Sequence, residues 1–396
     1  MTTKSGGPAQ SGQAVPLAEP AAGRLREPVF RPVIAASDTE LLVAGDDEPN
    51  GSGALRVRDT VVLVDLHDGN QREVAAPEAD RPIAIVAAAA TNDGFVIVGT
   101  RCDQGDATSA EEPDCTPGTP VSALLADDGT WRDLPFPEAL SPPDFAGIWS
   151  FDARLIPMPD GSLGAVVSSH QAVAGSASPQ VLMRLDPGTG WTEVGSMRDG
   201  GIDQACGGGK GQVYVLQRTA SDAPTDQPLA PVSLRLQRMS LSGGGPQDVP
   251  LPTVDASIGG VGVKIGCDAD HVYVTSSAPS TGASIEVFQS TDKGWGSVDY
   301  PGIGALPTSI ISAASGLAIT TSEMEPGRDI RTSVTRILSD GRVRDLDGAA
   351  SASLVVPQLG GDALVVVGPF SRLDGRQTGE GQASEARASV TIEKFR

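Results

Sequence analysis

The chain is poor in rings and in reactive side chains: aromatic residues make up 4%, with only three histidines and four cysteines. A core built under that restriction must rely on Val, Ala, Leu and Ile, whose branched or short side chains suit half-buried pleated surfaces. His67, His170 and His271 are scattered and form no HExxH pair, and no G-x-S-x-G turn occurs. Zincin and α/β-hydrolase chemistry are thereby excluded, and each histidine is read as a surface or turn residue. No apolar run approaches the roughly 18 residues that a membrane-spanning helix needs. The longest, 82–90, has the size of a strand. Positive charge is also scarce, with 29 Lys and Arg against 50 Asp and Glu, a net charge of −21. Such a surface repels phosphate backbones, which excludes nucleic acid as a partner.

The N-terminus, MTTKSGGPAQSGQA, lacks the apolar segment of a signal peptide. It is similar to the polar tether that follows a lipid-anchored cysteine in bacterial lipoproteins. The expectation is a flexible tether over 1–13 and a single domain over 14–396. The chain then reads as a mature, exported form whose export signal has been replaced by Met1, with a lipid anchor upstream. A cytoplasmic protein with a polar extension is the alternative.

Turn formers are abundant, with 48 Gly and 31 Pro, and they punctuate an internal repeat. Its clearest piece is a β-branched run, an Asp/Gly turn and a polar strand that often opens with Trp. It occurs at 60–74, 121–136, 180–194, 233–249, 284–298 and 332–346, and half of it recurs at 388–396. A short apolar strand precedes each copy, as in ELLVAG, GFVIVG, QVYVLQ and HVYVTS, and another inner strand precedes that. Four strands per period of about 50 to 60 residues is the signature of a β-propeller. Strand alternation without helical periodicity excludes a helical solenoid. The predicted fold is all-β, a seven-bladed propeller of four-stranded antiparallel blades. The last repeat lacks its outer strand, and AVPLAEP at 14–20 resembles the outer strands of other repeats. The N-terminal segment is therefore expected to close the ring by pairing with blade seven, since an open ring would leave a strand edge unsatisfied.

The turn between the third and fourth strands resembles the Asp box, S-x-D-x-G-x-T-W, of sialidase-type propellers. Asp128–Gly129–Thr130–Trp131 is the nearest copy, followed by Ser290 to Trp295 and by a longer version from Asp186 to Trp191. The resemblance implies an Asp that caps the hairpin and a Trp that packs between blades. Phe30–Arg31–Pro32 is similar to the F/Y-R-I-P segment that opens sialidase catalytic domains. That likeness makes Arg31 a candidate for gripping a substrate carboxylate, with Asp59 as acid and Tyr300 as nucleophile. Tyr214 and Tyr273 lie within VYV strands and read as packing residues.

Other features read as structural. Gly207 to Gly211 joins two strands with no helix behind it and no Ser or Thr after Lys210, so it is a glycine hairpin rather than a phosphate loop. The acidic stretches 46–48 and 103–114 are candidates for calcium, but match no EF-type spacing and read as solvated acid. No other cofactor is implied. The long connections, 45–59, 101–120, 135–150, 218–232 and 369–387, all emerge on one face of a propeller, where binding residues on loops are best placed. Phe145, Trp149 and Phe151 form an aromatic cluster there and are the candidate binding anchor; a plug over the central channel is the alternative. The functional expectation is a non-catalytic exported propeller that binds an extracellular protein, glycan or envelope partner. A sialidase-type hydrolase around Arg31 comes second, and a structural subunit of a surface assembly third.

Cys206 and Cys267 fall at matching points of two consecutive repeats, and Cys102 and Cys115 bracket one acidic loop without zinc-ligand spacing. Two disulfides, 102–115 and 206–267, are therefore expected, consistent with an oxidising compartment. A loop as short as the first contributes about 3 kcal/mol in the chain-entropy account. Peptide mapping of unreduced protein should recover both linked pairs; four free thiols in freshly isolated protein would refute both pairings.

Overall fold

The computed structural model describes residues 14–17, 33–44, 60–77, 83–101, 119–137, 149–171, 180–186, 188–197, 201–220, 232–254, 262–277, 285–301, 306–324, 331–346, 354–368 and 389–395. They form seven four-stranded sheets. Blade one runs from the centre outwards as β2 (Val33–Ala36), β3 (Glu40–Ala44), β4 (Thr60–Asp65) and β5 (Gln71–Ala75). Blade two is β6 (Ile83–Thr91), β7 (Gly94–Arg101), β8 (Thr119–Leu125) and β9 (Trp131–Asp133). Blade three is β10 (Trp149–Pro157), β11 (Leu163–Gln171), β12 (Gln180–Asp186) and β13 (Gly190–Met197). Blade four is β14 (Gly201–Gly207), β15 (Gln212–Ala220), β16 (Val232–Ser240) and β17 (Gln247–Val249). Blade five is β18 (Lys264–Cys267), β19 (Val272–Ser277), β20 (Ile285–Thr291) and β21 (Gly294–Val298). Blade six is β22 (Leu306–Ala313), β23 (Gly316–Met324), β24 (Arg331–Ser339) and β25 (Arg342–Asp345). Blade seven is β26 (Leu354–Pro357), β27 (Ala363–Gly368) and β28 (Ser389–Lys394), completed on the outside by β1 (Val15–Pro16).

Every pairing within a blade is antiparallel, as the hairpin-by-hairpin reading of the repeat requires. The inner strands β2, β6, β10, β14, β18, β22 and β26 touch in cyclic order, and β26 returns to β2. That contact closes the ring.

The cores lie between blades. Leu41 and Val43 pack against blade seven, whereas Leu42 and Ala44, their alternating neighbours on β3, pack against blade two. Successive side chains of a strand point to opposite faces, so a blade buried on both faces needs a continuous apolar strand. This is why the second strands read as unbroken runs such as ELLVA and ALVVVG. The other cores repeat the scheme between blades two and three, three and four, four and five, five and six, and six and seven.

A short outer strand adds a second link at the closure. Val15 stands opposite Val390 and Pro16 opposite Ser389. Proline is tolerated there because β1 is an edge, where its missing N–H removes no ladder bond to a further strand. Val15 and Leu17 are buried, and Leu17 joins the core shared by blades seven and one. Gly69, in the outer turn of blade one, has φ +74°, and a Cβ there would meet Val15 Cγ1 at 2.7 Å. The N-terminal strand thus leans on blade one while it hydrogen-bonds to blade seven.

Deleting residues 1–24 should lower the melting temperature by about 10 °C or more, because two buried aliphatic side chains and a strand edge are lost together. Deleting 1–12 should leave it unchanged. Equal melting temperatures for the two truncations, read by differential scanning calorimetry, would contradict the closure.

Candidate functional site

The two ends of the ring differ in kind. At one end lie the short turns joining first to second and third to fourth strands, and backbone bonds link them from blade to blade. The Gly209 amide donates to the Ala269 carbonyl, Ala269 to Ala314, Ser315 to Gly361, and Leu359 to Ala36, each at 3.0 Å. These bonds carry a collar from blade four through blades five, six and seven to blade one. Glycine is required where the turns touch: a Cβ on Gly209 would lie 2.1 Å from the Ala269 oxygen. Side chains add to the stitching, with Cys267 N donating to Ser312 Oγ at 3.0 Å and Ser315 Oγ to Asp362 at 2.7 Å.

Cys206 and Cys267 end the inner strands of blades four and five and form a disulfide with a Cα–Cα separation of 5.6 Å. Both are buried. The pairing drawn from the repeat alignment is the one found. Cys102 and Cys115 lie outside the described residues.

Inside the collar the channel narrows to a cavity of about 40 Å³, lined by residues such as Ala36, Ala90, Met158, Ala313 and Leu359. That volume admits a few waters and no sugar or peptide. This end of the ring has no room for a substrate at its axis.

At the other end, the connections between second and third strands and between successive blades leave the sheets. Trp149 is the first residue of β10, opposite Gln171, and Phe151 stands opposite Ser169, so the backbone of both lies where the inner strand of blade three enters from that end. Their side chains, and all of Phe145, Arg31 and Asp59, lie outside the described residues, as do the acidic stretches 46–48 and 103–114. Nearby, Arg154 and Arg218 both bond Asp203, the first through its carbonyl and the second through a 3.0 Å ion pair with the carboxylate. Both guanidinium groups therefore already have a protein acceptor. Among the described residues no group of three or more His, Cys, Asp or Glu is placed to hold a metal ion.

Tyr300 is described in full. It is 6% exposed, within the core between blades five and six, and its hydroxyl donates to the Ile319 carbonyl at 3.4 Å. Burial pushes its phenol above the ordinary tyrosine value, against the opposing pull of the Arg336 guanidinium. Arg336 lies 5.8 Å from the ring centroid and is clamped by Glu323 and by Asp345, the latter at 2.9 Å. This geometry suits packing rather than attack on a ligand. Tyr273 is likewise buried, its hydroxyl donating to Asp268 Oδ2 at 2.7 Å, and burial raises its value too.

The Asp-box turns divide. Asp128 Oδ1 accepts from the Thr130 amide at 3.0 Å and from its hydroxyl at 2.6 Å, and these bonds hold its carboxyl below the usual carboxylate range. At the longer turn Asp186 instead binds Arg184 and the Thr192 hydroxyl. At 290–295 the Lys293 amide goes to Thr291 Oγ1, not to Asp292. Of these three copies, the capping role expected of each is found at Asp128. The tryptophans are uniform. Trp131 Nε1 donates to Ala75 O at 2.6 Å, Trp191 Nε1 to Ser122 Oγ at 3.0 Å, and Trp295 Nε1 to Pro250 O at 2.7 Å, each reaching the preceding blade. Trp191 also stacks on Phe136 at 5.8 Å.

The chain is thus an all-β, seven-bladed propeller. No protein-family model and no curated protein matches it. Among solved structures it is similar to the β-propeller domain of the Trilobed protease from Pyrococcus furiosus, described as having an open velcro topology. The TM-score is 0.54 at 9% identity, covering 92% of this chain and 96% of that one. It is also similar to a prolyl endopeptidase, with TM-score 0.50 and 12% identity over 88% of this chain but only 48% of that one. The polysaccharide lyase Uly1 gives TM-score 0.50 and 10% identity over 98% of both chains. At such identities the likeness is one of fold. Unlike an open ring, this one is closed by β1. No helix among the described residues is long and apolar enough to cross a membrane.

Replacing Trp191 by Ala should cost about 3–5 kcal/mol, because a buried ring and a between-blade bond go together. Trp131→Ala, at a partly exposed site, should cost about 1 kcal/mol. Urea unfolding of both variants checks the order; equal losses would contradict the staple assigned to Trp191.

Proposed function

We propose that this chain is a non-catalytic binding propeller of an extracytoplasmic compartment, engaging a protein, glycan or cell-envelope partner through its long-connection end. The observation that carries this reading is the contrast between the two ends of the ring. One end is a collar of bonded turns around a cavity of about 40 Å³. The long connections leave from the other, and a rigid scaffold with long loops on one side is the usual plan of a binding surface. The disulfide between blades four and five supports export.

The competing reading is a sialidase-type hydrolase around Arg31, favoured by the Asp-box turn at Asp128. It requires a tyrosine free to attack, and the burial of Tyr300 and Tyr273 speaks against one. Calcium at 46–48 or 103–114 belongs with the binding reading, as a device for ordering acidic loops.

The test compares wild type, Trp149→Ala and Arg31→Ala on a fluorogenic sialic acid substrate and on an array of glycans and envelope fractions. The wild type should release no fluorophore. Trp149→Ala should weaken retention on the best-bound fraction about tenfold, the scale of an aromatic anchor, with Arg31→Ala unchanged. Turnover that disappears in Arg31→Ala would replace this reading by the hydrolase.

A further inference from the structure

Blade four carries a hollow of about 430 Å³ on the turn end of the ring, away from the long connections. It is lined by Lys210, Gln212, Arg238, Met239, Ser240 and Gln247 together with the glycine run 243–245. These residues come together because Gln212 pairs with Ser240 across β15 and β16, and Arg238 pairs with Gln247 across β16 and β17. Strand alternation then puts Arg238 and Ser240 on one face of the blade.

Its charge sets it apart. In a chain with a net charge of −21, the lining contains Lys210 and Arg238 and no Asp or Glu. Among the described residues neither cation is in an ion pair, and the bond found for Arg238 is from Nη2 to the neutral Gln247 Oε1 at 2.6 Å. Asp268 and Asp270, in the neighbouring turn of blade five, do not line the hollow, and Asp268 is engaged by Tyr273. By contrast, Arg235 on the same strand is held by Asp248 at 2.6 Å. Two exposed cations lining one hollow without an acid favour an anion there.

The glycine run borders open space. Gly243 and Gly244 have positive φ, and a Cβ at 243, 244 or 245 would meet nothing within 4 Å. The Gly243 amide goes to the Ser240 carbonyl at 3.0 Å, whereas the amides of Gly244 and Gly245 are taken by no backbone carbonyl among the described residues. Lys210 itself is left-handed at φ 58°, an uncommon conformation for a side-chain-bearing residue.

We propose that this hollow is a binding site for an anionic sugar residue, its sulfate or carboxylate held by Lys210 and Arg238 and its hydroxyls by Gln212 and Gln247. The size fits one or two sugar units. The site is separate from the long-connection end and does not depend on the function proposed for it.

The test is calorimetric titration of the full chain at low salt with a sulfated dextran oligosaccharide, with sodium sulfate alone, and with the unsulfated oligosaccharide. The sulfated sugar should bind, sulfate alone should bind at least about tenfold more weakly, and the unsulfated sugar should give no heat. In Lys210→Gly combined with Arg238→Gln, affinity for the sulfated sugar should fall at least about tenfold, the effect of losing one charge-assisted bond. Glycine suits the left-handed backbone at 210, so the melting temperature should hold. Absence of binding by wild type, binding equal in the double variant, or equal binding of the unsulfated sugar would overturn the site. Equal affinity for free sulfate would overturn the sugar assignment.

Discussion

The pairing of β1 with β28 is the contact on which the rest of the molecule depends. Each blade buries both faces, so its apolar residues are covered only while two neighbours stay in place. Blades one and seven touch through Leu17, Val62, Val365 and Val390. Opening that seam would expose two blade faces and an unpaired strand edge at once. A two-residue strand therefore has consequences well beyond its own bonds, because it holds in register a core that closes a cyclic array. The Pyrococcus furiosus domain is described as having an open velcro topology. Here the seal is present, and Gly69 makes the space for it.

The interfaces achieve adhesion with few rings. Each between-blade core is mainly Val, Leu, Ile and Ala, and each fully buried Val, Leu or Ile side chain contributes about 1.5–3 kcal/mol, so these layers carry the stability. The polar stitches are smaller, about 1 kcal/mol each. Their role is positional: Trp131, Trp191 and Trp295 fix the outer strands, the collar of turn amides fixes the inner ones, and the disulfide ties blades four and five. Ile265 N, held by Gln204 Oε1 at 2.7 Å, does the same between inner strands. The turn end is consequently a fixed platform.

Much of this was legible before any coordinates. The repeat declared itself because doubly buried strands must be apolar throughout, and because their hairpins recur at a regular spacing. Cys206 and Cys267 could be paired because equivalent positions on neighbouring inner strands are adjacent in any propeller. The between-blade tryptophans were implied by the resemblance of their turns to the Asp box. What could not be read was the division of the Asp-box turns, since the partner of Asp186 depends on Arg184 two residues earlier and on one extra turn residue. The hollow on blade four was hidden for a different reason. Its two cations are far apart in sequence, and the glycines around Lys210 read correctly as a hairpin, which says nothing of what stands beside it.

In a closed ring with one stitched end, the closing seam is the decisive place to measure. Native-state hydrogen exchange across the blade-seven strands probes that seam directly. If β1 seals the ring, amides over 389–395 should be as slow to exchange as those of β15 at 212–220, the second strand of an interior blade. Exchange of 389–395 orders of magnitude faster than 212–220 would show the last blade opening on its own and would contradict the closed ring.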